Sequence, residues 1–104
     1  MSELRLDKEG FLRSLDDWSP DAAEQLAYAE GVSLTQPHWS VLNTLRDYYA
    51  ETEVSPSMRP FVKLVRTRVS EELGSSLSLM ALFGESPAKT AAKIAGLPKP
   101  TNCI

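Results

Sequence analysis

The sequence is poor in the residues from which catalytic and metal centres are usually built. Its 104 residues include 1 cysteine and 1 histidine, so it can form no internal disulfide and no zinc site from the usual ligands. No apolar run reaches the roughly 18 residues that would span a bilayer, and residues 1–7 lack the basic start and apolar core of a signal peptide. We therefore expect a cytoplasmic protein, not attached to a membrane, that needs no metal and no other cofactor.

The charge balance of the chain is mildly acidic. The 14 acidic and 11 basic side chains give a net charge of −3, whereas binding to nucleic acid normally needs a basic face. We therefore expect no strong direct binding to nucleic acid, although a local basic patch is compatible with this total. The apolar share of 42% is ordinary for a globular protein, and the length suits one domain.

Most of the chain carries the start and stop signals of helices. Serine or threonine followed closely by proline marks an N-cap and a first turn, and glycine often follows the last turn. Apolar residues recur at helical spacing between these signals. The predicted helices begin at Ser19, at Thr35, at Ser55, at Ser75 or Ser76, and at Ser86; the first ends near Glu30, the third at Gly74 and the fifth at Gly96.

The N-terminal residues follow a different pattern. Leu4 and Leu6 alternate with polar residues, and a turn-like segment that ends in Gly10 follows them. This pattern predicts a small β-hairpin over residues 3–13. The predicted fold class is therefore mainly α: a compact bundle of about five helices with a small N-terminal β-hairpin, forming one domain over residues 1–96.

Residues 97–104, here called the arm, follow neither pattern. Pro98 and Pro100 cannot continue a helix and favour an extended, flexible segment that reaches about 25 Å. The arm carries Cys103, and an exposed thiol near a chain end is easily oxidised unless its reactivity is used. The residues alone leave three interpretations: an incidental surface thiol, an arm that folds back and buries Cys103 and Ile104, or a working nucleophile.

A working thiol has to ionise, and nearby cations favour the thiolate. Lys99 precedes Cys103 in the arm. A second basic group lies on the third predicted helix, where the spacing places three residues on one face: Arg59, Lys63 and Arg66. We hypothesise that these four cations support the thiolate or bind a partner. The alternative for the helix is an ordinary solvated basic surface.

Three other side chains could be functional but have simpler interpretations. His38 could act as a general base, but no nucleophile is indicated near it, so we interpret it as a surface or capping residue. Trp18 and Trp39 could stack on nucleic-acid bases, but no basic residues are interleaved around them, so we interpret them as core residues. The helices after Thr35 and Ser55 make only a weak case for a helix-turn-helix DNA reader.

The chain resembles proteins of the TusE/DsrC family. The string Lys-Ile-Ala-Gly-Leu-Pro-Lys-Pro at residues 93–100, followed by the cysteine next to last at Cys103, carries this resemblance. Other similar segments lie along the chain, at residues 7–12, 18–19, 30–35, 38–39 and 46–49. The resemblance implies a helical bundle with a hairpin and a flexible arm. It also implies a sulfurtransferase that carries persulfide sulfur on Cys103.

Within that family the resemblance points to two pathways. TusE proteins take sulfur from the TusBCD complex and pass it to the tRNA thiouridylase MnmA for wobble 2-thiouridine. DsrC proteins work with the sulfite reductase DsrAB and use a second arm cysteine, whose place is taken here by Ala92. This difference favours the TusE role, with partners of the TusBCD and MnmA types. The alternatives are a DsrC-like sulfur-trafficking or regulatory binding protein of dissimilatory sulfur metabolism, and a DNA-binding regulator.

Overall fold

Helices dominate the structure, a computed structural model that describes residues 4–101 of the chain. A short 3-10 turn at Leu15–Asp17 precedes the first α-helix. The α-helices of the described part are α1 (Pro20–Ala29), α2 (Gln36–Thr52), α3 (Met58–Arg68), α4 (Ser76–Phe83) and α5 (Pro87–Ile94). The predicted mainly helical class, with five helices in a compact arrangement, is confirmed.

The helix starts follow the local capping signals of the sequence. The Ser19 hydroxyl accepts a hydrogen bond from the Ala22 N–H at 3.1 Å, and the Ser75 hydroxyl accepts one from the Ser78 N–H at 3.1 Å. Each bond satisfies a backbone donor that has no partner within its helix. Because these contacts span only three residues, the sequence predicts them well.

The third helix is shorter than predicted. Ser57 rather than Ser55 is its N-cap, and it ends at Arg68 rather than Gly74. The serine at position 70 explains the early end, because its hydroxyl accepts the Leu73 N–H at 3.1 Å. A side chain that binds nearby backbone in this way competes with the helix for its hydrogen bonds.

α5 is the central helix of the bundle. It packs against α1, α2, α3 and α4, and its Ala91, Ala92 and Ile94 are buried. Small alanine side chains let neighbouring helices approach closely from several directions. The largest fully buried side chains of the core are Phe11, Phe61, Leu42, Leu45, Leu79, Ile94, Val41 and Val65. Within residues 4–101, every helix is too short or too polar to cross a membrane.

The N-terminal segment forms a turn that is closed by one β-bridge, and the predicted β-hairpin is wrong. Leu6 and Leu12 make a single antiparallel bridge, and the chain from residue 4 to residue 101 contains no strand. The Asp7 carboxylate accepts the Phe11 N–H at 3.0 Å, so a donor that would extend a ladder is used inside the turn. The chain then enters the 3-10 turn, and strand pairing cannot continue.

Candidate functional site at the base of the arm

The arm is described up to Thr101, and Cys103 lies outside the described residues. Residues 97–101, here called the arm base, pack against the bundle. Leu97 is 2% exposed and belongs to the hydrophobic core, its N–H donates to the Ala92 carbonyl at 2.9 Å, and Pro100 is buried. The predicted division into residues 1–96 and an arm of 97–104 stays a prediction.

Trp18 fixes the point at which the chain leaves α5. Its indole N–H donates to the carbonyl of Ile94 at 2.9 Å, which satisfies an acceptor left free at the helix end. Gly96 has a positive φ of 75°, and a Cβ at this position would lie 2.4 Å from Trp18 Cδ1. Only glycine therefore combines this turn with this close approach, so Trp18 and Gly96 together determine the direction of the arm.

Arg46 of α2 reinforces the same junction. One guanidinium nitrogen, Nη1, donates to the Ala95 carbonyl at 2.7 Å, and the guanidinium carbon lies 3.9 Å from the centroid of the Trp18 ring. Burial lowers the pKa of Arg46, and the nearby carboxylate of Asp47 opposes that effect. A cation at the carboxyl end of α5 is also favourable for the helix dipole. The junction is thus held by stacking and by hydrogen bonds from two distant elements.

Lys99 of the arm base pairs with Glu9 in the N-terminal turn. Its ammonium lies 3.0 Å and 3.3 Å from the two carboxylate oxygens, and the ammonium of Lys89 lies 3.4 Å from one of them. Hydrogen bonds from Lys99 first, and from Lys89 second, lower the pKa of Glu9. We call this group the Glu9 clasp: Glu9, Lys89 and Lys99. It gives Lys99 a carboxylate partner, and the hypothesis that Lys99 supports the Cys103 thiolate stays a prediction.

The other predicted cations line one groove beside α3. The groove is bordered by Met58, Arg59, Val62, Lys63, Arg66, Thr67 and Ser76. Arg66 has a structural contact, because its Nε and Nη2 donate to the Gly74 carbonyl at 3.1 Å and 3.0 Å. Within residues 4–101, no hydrogen bond or ion pair connects Lys99 to this groove. The role of Arg59, Lys63 and Arg66 toward Cys103 or a partner stays a prediction.

His38 is a buried residue that caps α2. It is 6% exposed, so the predicted capping role is confirmed and the surface position is wrong. Nδ1 accepts the Thr35 N–H at 3.1 Å, and Nε2 lies 2.7 Å from the Leu82 carbonyl. A neutral ring protonated on Nε2 satisfies both contacts. Trp18 and Trp39 are half-buried and pack against the core, as predicted.

Glu9 and Arg46 are two residues at the arm base that the sequence did not suggest. Their contacts join residues that are 90 and 49 positions apart in the chain, so no local spacing could indicate them. Both residues lie in segments that resemble the TusE/DsrC family, at 7–12 and 46–49. That shared resemblance was the one available signal.

The fold defines a class of small helical proteins in which the last helix leads into a segment, the arm base, that packs against the bundle. The chain belongs to the family of DsrC-like proteins, whose model matches residues 1–104. It is 44% identical over 102 residues to "Sulfurtransferase TusE" of Photorhabdus laumondii, which covers 98% of this chain and 92% of the relative. It is 47% identical over 98 residues to the protein of that name in Yersinia pseudotuberculosis, with coverages of 94% and 91%.

A solved structure gives the same result for the fold. The NMR structure of DsrC from Allochromatium vinosum superposes with a TM-score of 0.89 and is 41% identical in sequence. The match covers 99% of this chain and 92% of that one.

Proposed function

We propose that this protein is a sulfurtransferase of the carrier type, which accepts persulfide sulfur on Cys103 and passes it to a recipient. The observation that carries this proposal is the similarity to two relatives named Sulfurtransferase TusE, at 44% and 47% identity over more than nine tenths of this chain. Cys103 is the sole cysteine of the sequence. It is therefore the one side chain that can hold a persulfide.

The proposed transfer is a displacement without net oxidation. The Cys103 thiolate attacks the outer sulfur of a donor persulfide, the sulfur–sulfur bond of the donor breaks, and the donor cysteine leaves as a thiolate. Cys103 then carries the outer sulfur as its own persulfide. The recipient repeats the same attack and restores the Cys103 thiolate. One thiol per carrier is sufficient, and neither a metal nor another cofactor is required.

The arm of residues 97–104 supplies the reach that such a carrier needs, because the thiol has to enter a donor site and a recipient site in turn. Its base is anchored through Leu97 and the Glu9 clasp. Lys99 stands four positions before Cys103, and a cation there favours the thiolate by charge. In this proposal the anchored base orients the arm, and the residues beyond it deliver the sulfur.

The proposed pathway is synthesis of wobble 2-thiouridine in tRNA, in the cytoplasm. A TusBCD-type complex is the donor and an MnmA-type thiouridylase is the recipient. The alternative is DsrC-like sulfur trafficking or regulatory binding in dissimilatory sulfur metabolism, which the likeness to Allochromatium vinosum DsrC favours. Ala92 occupies the position of the second arm cysteine of DsrC proteins, and alanine cannot form their intramolecular disulfide.

Mass spectrometry of the loaded protein tests the proposal. After incubation with a cysteine desulfurase and a TusBCD-type donor, the wild type is expected to gain the mass of one sulfur on Cys103, and the Cys103→Ser variant to gain none. Reconstituted tRNA thiolation should then depend on wild-type protein. A Cys103→Ser variant that supports thiolation at the wild-type rate refutes the carrier mechanism. Transfer to a sulfite reductase but not to the thiouridylase selects the DsrC-like alternative.

A further inference from the structure

α3 is a cationic helix on an acidic protein. Between Met58 and Arg68 it carries four basic residues and no acidic one, although the chain has a net charge of −3. Arg68 is paired with Glu51 at 3.0 Å, and Arg66 is held by the Gly74 carbonyl. In the described part of the chain, the exposed side chains of Arg59 and Lys63 take part in no hydrogen bond or ion pair. Their charges are therefore free to attract a ligand.

Apolar surface accompanies these charges. The groove beside α3 has a volume of about 530 Å³, and the half-buried Met58 and Val62 line it. Ser76, the first residue of α4, forms the opposite border. The next residue along α4 is Leu77, which is 80% exposed. The groove lining and this leucine, one residue beyond the groove border, together offer apolar surface to a partner.

We infer that this α3–α4 face, formed by Met58, Arg59, Val62, Lys63 and Leu77, docks the proteins that exchange sulfur with the arm. The fitting partner is a protein segment with an aliphatic side chain between two or more carboxylates. The aliphatic group would contact Met58, Val62 and Leu77, and the carboxylates would pair with Arg59 and Lys63. Phosphates of a nucleic acid could use the two cations, but they would leave the apolar residues without a partner.

The α3–α4 face is connected to the arm through α5, so docking on this face would hold a partner near the arm. α3 packs against α5, and α5 leads directly into the arm base. A partner held on the α3–α4 face keeps the arm close to its own sulfur site, so that entry of the thiol becomes an intramolecular step at high effective concentration. The partner's identity rests on the proposed function, whereas the chemistry of the face does not.

Kinetics of sulfur transfer from a purified TusBCD-type donor provide one test. Reversing both charges in an Arg59→Glu/Lys63→Glu variant is expected to raise the KM for the donor about tenfold, because two attractions become repulsions. Leu77→Ser should raise it several-fold. The kcat at saturating donor should change less than twofold. Loading of Cys103 from a small-molecule persulfide should stay at the wild-type rate, since that donor needs no docking surface.

A matched control separates the face from the total charge. Arg5 and Lys8 are exposed, and an Arg5→Glu/Lys8→Glu variant changes the net charge by the same amount. It should leave the KM within about twofold of wild type. If this control raises the KM as much as the α3 variant does, or if the α3 variant leaves the KM unchanged, the inference is overturned.

Binding without sulfur transfer distinguishes failure of the inference from failure of the proposed function. In a Cys103→Ser background, calorimetric titration with the purified donor and with an MnmA-type thiouridylase should show about tenfold weaker binding of each to the Arg59→Glu/Lys63→Glu variant. If both partners bind the variant as tightly as the parent, the inference is wrong. Failure of Cys103 to load with sulfur, with the difference in binding intact, refutes the proposed function alone. Loss of tRNA retention in the variant, with protein binding unchanged, would assign the face to nucleic acid and also overturn it.

Discussion

Glu9 is a single surface residue that connects the N-terminal turn to the arm base. Its carboxylate forms ion pairs with two lysines, Lys89 of α5 and Lys99 of the arm. Because the hydrogen bond from Lys99 is the largest cause of its lowered pKa, folded Glu9 releases its proton more readily than Glu9 in the unfolded chain. The clasp therefore stabilises the fold fully above the ordinary value of 4.5, and its contribution is lost as the pH falls through the lowered folded pKa.

An NMR titration of the Glu9 carboxyl carbon checks this. We expect a midpoint below 4.5 in the wild type, and a shift back toward 4.5 in a Lys99→Met variant. Lys89→Met should produce a smaller shift, because Lys89 is the second cause. Lys63→Met, which removes a lysine outside the clasp, serves as the control and should leave the midpoint in place. A wild-type midpoint at the ordinary value would show that the clasp is not formed in solution.

At the scale of secondary-structure elements, the end of α5 determines how the arm begins. Gly96 and Gly31 have nearly the same positive φ, 75° and 73°, but their surroundings differ. A Cβ at Gly96 would meet three atoms of Trp18 within 3 Å, whereas one at Gly31 would meet nothing within 4 Å. Comparing the two glycines therefore separates the free-energy cost of a left-handed backbone from the cost of a steric clash with Trp18.

Alanine substitutions at Gly31 and Gly96, measured by urea unfolding, test this difference. Gly31→Ala should cost about 1 kcal/mol, the strain of a left-handed alanine. Gly96→Ala should cost about 2–4 kcal/mol, because displacing Trp18 adds to the same strain. It should also change the Trp18 fluorescence of the folded protein, which Gly31→Ala should not. Equal costs for the two variants would mean that Trp18 does not constrain the junction.

Features that depend on nearby residues could be predicted from the sequence, and features that depend on competing side-chain or tertiary contacts could not. The starts of α1, α2 and α4 depend on capping contacts within three residues, and α5 begins with a proline in its first turn. The sequence predicted all four starts. The β-hairpin failed because the Asp7 side chain competes with strand pairing for the Phe11 N–H, a choice that alternating leucines do not reveal. The predicted length of α3 failed for a similar reason at Ser70.

The sequence predicts the chemistry of the candidate site, which stays a prediction, but it did not indicate how the arm base is anchored. Cys103 and the prolines of the arm predict a reactive group on an extended segment. The contacts of Arg46 with Ala95, and of Lys99 with Glu9, depend on how α2 and the N-terminal turn pack against α5. Such contacts require the tertiary fold, because the partners share no periodic pattern.

At the scale of the whole molecule, one hydrophobic core extends from Phe11 to Leu97. The first residue of the arm is therefore part of the same packed unit as the helices. Each of the other α-helices contacts α5. Loosening the carboxyl end of α5 should therefore destabilise the whole bundle. A protein built around one central helix is expected to unfold in a single cooperative transition that includes the arm base.

Replacing the Leu97 side chain with alanine tests whether the arm base and the bundle form one unit. Leu97→Ala should lower the free energy of unfolding by about 2–4 kcal/mol, as expected for a buried leucine. Leu77→Ala, at an exposed position on α4, should change it by less than about 0.5 kcal/mol. In a Trp39→Phe background, Trp18 fluorescence and helical circular dichroism should give coincident urea transitions for both variants. Fluorescence that changes at lower urea than the helical signal would show that the arm base opens independently, and that the core does not couple it to the bundle.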